Sequence, residues 1–137
     1  MNDAEKPFQF LYVSRLAPGC TWEVVKEIVA TARLYNPAHG ITGALLFDGE
    51  RFCQLIEGPE AHVQELANNI SKDTRHTGLR TLLTGPSAIG RTMQRWVSGY
   101  CEVHELEKYD TDNGPRETKA RDAFLAVLQG DYSVSAP

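Results

Sequence analysis

The chain has 137 residues, of which 42% are hydrophobic and 23% charged, the size and make-up of one globular domain. A domain of this length buries roughly two-thirds of its unfolded surface, so its core needs neither metals nor disulfides. The formal net charge is -4, all of it arising after residue 100, and no basic stripe is present, so direct nucleic-acid binding is not expected.

No apolar run approaches the roughly 18 residues of a membrane span. The start, MNDAEKPFQF, has neither a basic flank nor an apolar core, so no signal peptide is expected. Cys20, Cys53 and Cys101 are odd in number and lack CxxC spacing. That argues against a disulfide scaffold and a zinc site, and fits a reducing cytoplasm. His39, His62, His76 and His104 show no ligand spacing, so no metal site is expected.

Residues 8–14 (FQFLYVS) are apolar and aromatic, which predicts a first strand. Ala17-Pro18-Gly19 breaks it, and Thr21 is the N-cap candidate for a helix. Val25, Ile28, Val29 and Ala32 form that helix's apolar stripe, and Pro37 predicts an end near Asn36. Residues 41–47 and 51–57 predict strands around a hairpin at Asp48-Gly49. Gly58-Pro59 opens a second helix, with Pro59 suited to its first position. Its predicted buried face is Val63, Leu66, Ala67 and Ile70. Residues 79–84 and 95–101 predict two further strands. A turn-rich stretch (110–116) precedes a last helix at about 117–129.

The order over residues 8–101 is thus βαββαββ. It predicts an α+β, ferredoxin-like domain: a five-stranded antiparallel sheet with two helices on one face and a C-terminal helical extension. The expected division is a domain at 1–101 and an extension at 102–137. The extension either covers the open face of the sheet or meets a partner, a second copy in a homodimer included.

Side chains alternate along strands. Phe8, Phe10, Tyr12 and Ser14 share a face, as do Phe52, Gln54 and Ile56. Gly43 falls with Ile41, Leu45 and Phe47, leaving a gap, and Trp96 goes with Ser98 and Tyr100. If these faces meet the helices, Tyr12 and Gln54 lie among hydrophobics and need partners. Asn36 follows Val25 by eleven residues, which returns it to within about 20° of the same helical stripe. Tyr12, Asn36 and Gln54 then converge on a slot suited to a flat heteroaromatic ligand. Taken singly, a strand tyrosine is usually core and an asparagine before proline is usually a cap. Two other functions fit the fold. An acylphosphatase-type hydrolase would cradle phosphate with Asn36 and either Arg15 or Arg75. A pure interaction module would use the tail helix.

Longer stretches carry more. LYVSRL (11–16), TARLYNPAHGITGALLFDGERFCQLIEGP (31–59), DTRHTGLRTLLTGP (73–86) and RWVSGY (95–100) together resemble the BLUF family, blue-light sensors using flavin. The resemblance implies a photoreceptor rather than an enzyme. Tyr12 matches the family's photoactive tyrosine, Ser14 its neighbouring serine, Gln54 the glutamine between that tyrosine and the flavin, and Asn36 the asparagine on the flavin's carbonyl and imide edge. Arg75 and His76 match contacts to the ribityl-phosphate end. Ile28 and Phe52 match ring-packing positions. Trp96 and Ser98 match the signal relay of the last strand, where the family commonly has methionine at the position of Ser98. The implied cofactor is FAD, with FMN the alternative. The implied chemistry is light-driven electron and proton transfer among Tyr12, Gln54 and the flavin, leaving rearranged hydrogen bonds. With about 36 residues after Cys101, output is expected to pass to a separate signalling partner.

Overall fold

The computed structural model describes residues 6–129 and 133–135. The elements are β1 (Phe8–Leu16), α1 (Trp22–Ala38), β2 (Thr42–Phe47), β3 (Arg51–Gly58), α2 (Glu60–Lys72), β4 (His76–Pro86), β5 (Trp96–Tyr100), a 3-10 turn (Glu107–Tyr109), α3 (Glu117–Leu128) and β6 (Ser133–Ser135). The sheet order is β4-β1-β3-β2-β5-β6. The first four strands have the ferredoxin-like arrangement, with β1 and β3 central and antiparallel. The sheet is mixed rather than antiparallel throughout, because β5 lies parallel to β2. It also has a short sixth strand, where five were expected. Three residues are too few to carry an alternation signal.

Each face of the sheet has its own core. On one side Phe10, Tyr12, Leu45, Phe47, Phe52, Ile56 and Trp96 pack with Val25 and Val29 of α1 and Val63 of α2. On the other, Leu11, Val13, Ala44, Leu46, Cys53 and Leu55 pack with Leu106, Tyr109 and α3 residues Ala120, Phe124 and Val127. The extension therefore covers the second face. Burial on both faces makes β3 uniformly buried.

Local details depart modestly from the sequence pattern. Helix α1 runs two residues past Asn36, through Pro37. A proline in the last turn gives up only one hydrogen bond there. Thr21 holds the N-cap position without a side-chain bond; its backbone carbonyl takes the amides of Val24 and Val25 instead. Pro59 sits one residue before α2, as its N-cap. The expected gap at Gly43 does not exist. Its φ is +139°, and a Cβ there would overlap the Leu55 carbonyl. Glycine is required so that the backbones of β2 and β3 can approach.

Two aspartates tie the extension down. The Asp48 carboxylate caps the β2–β3 turn by accepting from the amides of Glu50 and Arg51 at 3.0 and 2.7 Å. Its other oxygen accepts from the amide of Leu106 at 3.0 Å. The Asp110 carboxylate is buried and accepts from Nε of Arg15 (β1) at 2.7 Å and of Arg51 (β3) at 2.9 Å, with Arg80 of β4 at 3.7 Å. Three strands thus converge on one acidic side chain.

Burial alone would raise the Asp110 carboxyl. The hydrogen bonds and charges of Arg51 and Arg15 more than offset this and hold it below the usual value of 3.8. A carboxyl depressed in the folded state contributes stability that is present above its unfolded pKa and lost as pH falls through the folded value. Denaturant unfolding followed on the acid side of pH 4 should show wild type losing stability, and Asp110→Asn losing less over that range from a lower starting point. Parallel curves would mean that Asp110 does not carry this dependence.

Candidate functional site

The helix-side face of the sheet leaves a cleft between α1 and α2, a cavity of about 220 Å³. Its floor comes from the strands: Tyr12 of β1, with Phe52 and Gln54 of β3. Its walls follow one helical rule twice. Ile28, Thr31, Ala32 and Tyr35 line it from α1, and Leu66, Asn69 and Ile70, followed by Asp73, line it from α2 and its end. Both sets have the i, i+3, i+4, i+7 spacing of a single helix face. Asn36, Arg75 and His76 complete the lining.

Tyr12 and Gln54 face each other because β1 and β3 place them in register. The phenolic O–H donates to Oε1 of Gln54 at 3.1 Å, fully buried. Burial first, and then Cys53 and Asp73, push the Tyr12 phenol far above its ordinary value of 10.0. It is held neutral and protonated across the physiological range. With Oε1 turned to Tyr12, the amide NH₂ of Gln54 is directed away from it. Rotating the amide by half a turn swaps donor for acceptor with almost no change of shape.

Asn36 is 1% exposed, and its amide nitrogen has no hydrogen-bond partner among the described residues. A buried donor left unpaired costs roughly 1–3 kcal/mol. Asn36 also lines the cleft, so a ligand there with a carbonyl or ring acceptor relieves that cost.

His76 stands behind the floor. Nε2 lies 2.6 Å from the Ile70 carbonyl and Nδ1 lies 2.7 Å from Oγ of Ser14. The carbonyl only accepts, so Nε2 carries the proton; in the neutral ring Nδ1 then accepts from the Ser14 hydroxyl. The ring meets Tyr12 edge-on, with centroids 6.0 Å apart. Arg75 bonds Asp73 at 2.7 Å and reaches toward Glu27 of α1 at 3.9 Å, a charged rim beside the cleft. The Arg75 hydrogen bond holds the Asp73 carboxyl below its usual value.

Seven of the predicted contacts line the cleft: Tyr12, Ile28, Asn36, Phe52, Gln54, Arg75 and His76. Ser14 does not; it reaches the site through His76. Trp96 and Ser98 also lie outside, in the core beside it, where the Trp96 indole N–H donates to Oγ of Ser98 at 3.2 Å. Leu45 separates Ser98 from Gln54 in the sheet register, and Trp96 pairs with Gly43. Thr31, Tyr35, Asn69 and Asp73 were not anticipated. The repeated helical spacing carries the signal for them, but polar members hide it in a search for apolar stripes. Arg15 lies on the opposite face with Asp110, so it cannot join Asn36 in a phosphate cradle.

The family model "BLUF: Sensors of blue-light using FAD" matches residues 8–99. The chain belongs to the BLUF family. The chain is 41% identical over 89 residues to the blue light- and temperature-regulated antirepressor BluF of Escherichia coli (strain K12), covering 65% of this chain and 21% of that protein. The dark-state structure of the BLUF protein BlrB matches at TM-score 0.67 and 28% identity, over 91% of this chain and 93% of that one. Klebsiella pneumoniae BlrP1 with FMN and cyclic diGMP matches at TM-score 0.61 and 26% identity, over 96% of this chain and 31% of that one. The BLUF chain thus spans about a fifth of the antirepressor.

Two outcomes test the site. Asn36→Leu should leave flavin-free stability unchanged or higher, because it removes the orphaned donor, yet weaken flavin binding about tenfold or more; equal affinity by fluorescence titration would contradict the role given to Asn36. A tyrosine kept neutral by burial contributes stability that is lost as pH rises past its unfolded pKa. Unfolding free energy of wild type should therefore fall more steeply above about pH 10 than that of Tyr12→Phe.

Proposed function

We propose that this protein is a blue-light photoreceptor that binds a flavin between α1 and α2 and signals through a separate protein, without catalytic turnover. The observation that carries the reading is the buried Tyr12–Gln54 hydrogen bond in the floor of a cleft that also holds the unpaired amide of Asn36.

Bound flavin supplies blue-light absorption and an excited state able to accept an electron. The protein's own groups do the rest. Asn36 presents a donor and an acceptor, which complement an imide N–H beside a carbonyl. Ile28 and Phe52 pack the ring, with the helix walls keeping water from it. With flavin bound, Tyr12 would be the electron donor to the excited ring, and Gln54, whose Oε1 accepts the phenolic O–H at 3.1 Å, would be the group through which its proton passes. Both would return to Tyr12 on recombination, leaving no net oxidation or reduction. Gln54 is left in the alternative hydrogen-bonding state, by rotation or tautomerisation. The Ile70 carbonyl fixes the tautomer of His76 and Ser14 holds its other ring nitrogen, so that the ring buttresses Tyr12. The outcome is a two-state element biased by light.

FAD is the expected cofactor, following the family description. Arg75 at the rim takes the ribityl-phosphate end. FMN, present in the BlrP1 structure, is the second candidate. Residues 1–101 form the flavin-binding unit, and 102–137 the extension that hands the signal on through Trp96 and Ser98 of β5. A downstream protein is the recipient, as the antirepressor description of the Escherichia coli relative illustrates; a homodimer contact through the extension is the other use of that surface. The three free cysteines fit a cytoplasmic setting. No helix among the described residues is long and apolar enough to cross a membrane.

The test is the absorption spectrum of the flavin-loaded protein in darkness and after blue light. Wild type should show a small red shift that reverses in darkness. Tyr12→Phe and Gln54→Leu should bind flavin and lose the reversible shift. A wild-type spectrum unchanged by light would overturn the proposal, and a protein that binds no flavin would overturn it more completely.

A further inference from the structure

The other face of β3 holds a charged group that the photochemistry does not use. Glu57 lies three residues beyond Gln54 on the same strand and is 0% exposed. Its carboxylate accepts from Nε2 of Gln9 at 2.6 Å, from Oγ1 of Thr92 at 2.6 Å, and from the backbone amides of Thr92 and Met93 at 3.0 Å each. None of these donors carries a charge. A buried carboxylate held by neutral donors depends on all of them together.

What these donors belong to gives the group its meaning. Thr92 and Met93 form the turn that delivers the chain into β5. That strand is five residues long and begins with the buried Trp96. Its approach is otherwise held by the Gly43 amide on the Arg95 carbonyl at 3.2 Å. The Arg91 guanidinium adds a bond to the backbone carbonyl of Glu57 at 3.3 Å. On the other side, Gln9 Oε1 accepts from Nη1 of Arg121 in α3 at 3.4 Å. Glu57 thus joins four pieces: the strand carrying Gln54, the neighbouring strand β1, the entry to β5, and the helix covering the far face.

We propose that Glu57 is a positioning residue, coupling strain in β3 to the seating of Trp96 through the Thr92–Met93 turn. This rests on the photoreceptor reading above. A shift of β3 at Gln54 moves the carboxylate, and the two backbone amides move with it because both bond the same group. The path runs along the sheet face opposite the flavin cleft and needs no contact between Gln54 and β5.

The test uses the full flavin-loaded chain with Glu57→Gln, and Thr92→Val as the milder second variant. The glutamine places an NH₂ among N–H and O–H donors, so the turn loses its anchor. Thr92→Val removes one donor and leaves both backbone amides. Neither change touches the cleft, so flavin content and the dark spectrum should match wild type. In darkness, amide hydrogen exchange of Trp96–Tyr100 should quicken about tenfold in Glu57→Gln and less in Thr92→Val, with β1 and the flavin-facing part of β3 unchanged. After blue light the spectral shift should form normally, and its dark recovery rate should change in the same order. Exchange faster everywhere, with recovery as in wild type, would mean a merely structural anchor and overturn the proposal. So would unchanged exchange in β5 of either variant. If Glu57→Gln does not fold, Thr92→Val decides by the same two readouts. Absence of any light-induced shift in wild type would instead sink the photoreceptor reading, and is seen before a variant is made.

Discussion

A single buried hydrogen bond, from the Tyr12 hydroxyl to the Gln54 side-chain carbonyl at 3.1 Å, sets what the rest of this structure must do. Two polar groups in an apolar interior need each other, since neither has water to fall back on. The antiparallel pairing of β1 with β3 puts them directly opposite. Around them α1 and α2 keep solvent out, and His76 is pinned by Ser14 and the Ile70 carbonyl. Burial keeps the phenol protonated, so it stays a hydrogen-bond donor to Gln54. The glutamine is the group whose reversal changes the pattern at least cost in shape.

The two faces of the sheet divide the work. The helix side holds the cleft; the other side is sealed by α3 and tied by Asp48 and Asp110 to three strands. Sealing has a consequence for output. With Leu45 between Gln54 and Ser98 in the register, and the Trp96 indole already bonded to Ser98, a change at Gln54 has no direct hydrogen-bonded route into β5 in this arrangement. Movement must pass through packing or through the backbone. Ser98 thus satisfies the indole within β5 itself.

Alternation and helical spacing were enough to place most of this in advance. Parity along β1 and β3 put Tyr12 and Gln54 toward one slot, as found. Eleven residues from Val25 to Asn36 brought the asparagine to the core side. What stayed hidden has physical reasons. The direction of β5 depends on where a long irregular segment returns to the sheet, which periodicity does not encode. Gly43 read as a gap because alternation counts side chains; its reason is a close backbone approach. Thr31, Tyr35, Asn69 and Asp73 lie on helix faces whose polar members break the apolar stripe. In the sequence Asp110 is one member of the acidic surplus after residue 100 and Glu57 a strand end, because partners from distant strands and turns are invisible to local pattern. The family resemblance pointed to Arg75 and His76, which line the cleft and which spacing alone does not single out.

The central claim is that light changes the hydrogen bonding between Tyr12 and Gln54 while the flavin and fold stay in place. Infrared difference spectroscopy, light minus dark, on protein carrying isotope-labelled glutamine tests it most directly. The account predicts label-sensitive bands from one buried side-chain amide, which vanish in Gln54→Leu and are absent in Tyr12→Phe. A reversible light-induced spectral shift with no label-sensitive glutamine band would contradict it, and would place the switch elsewhere in the cleft.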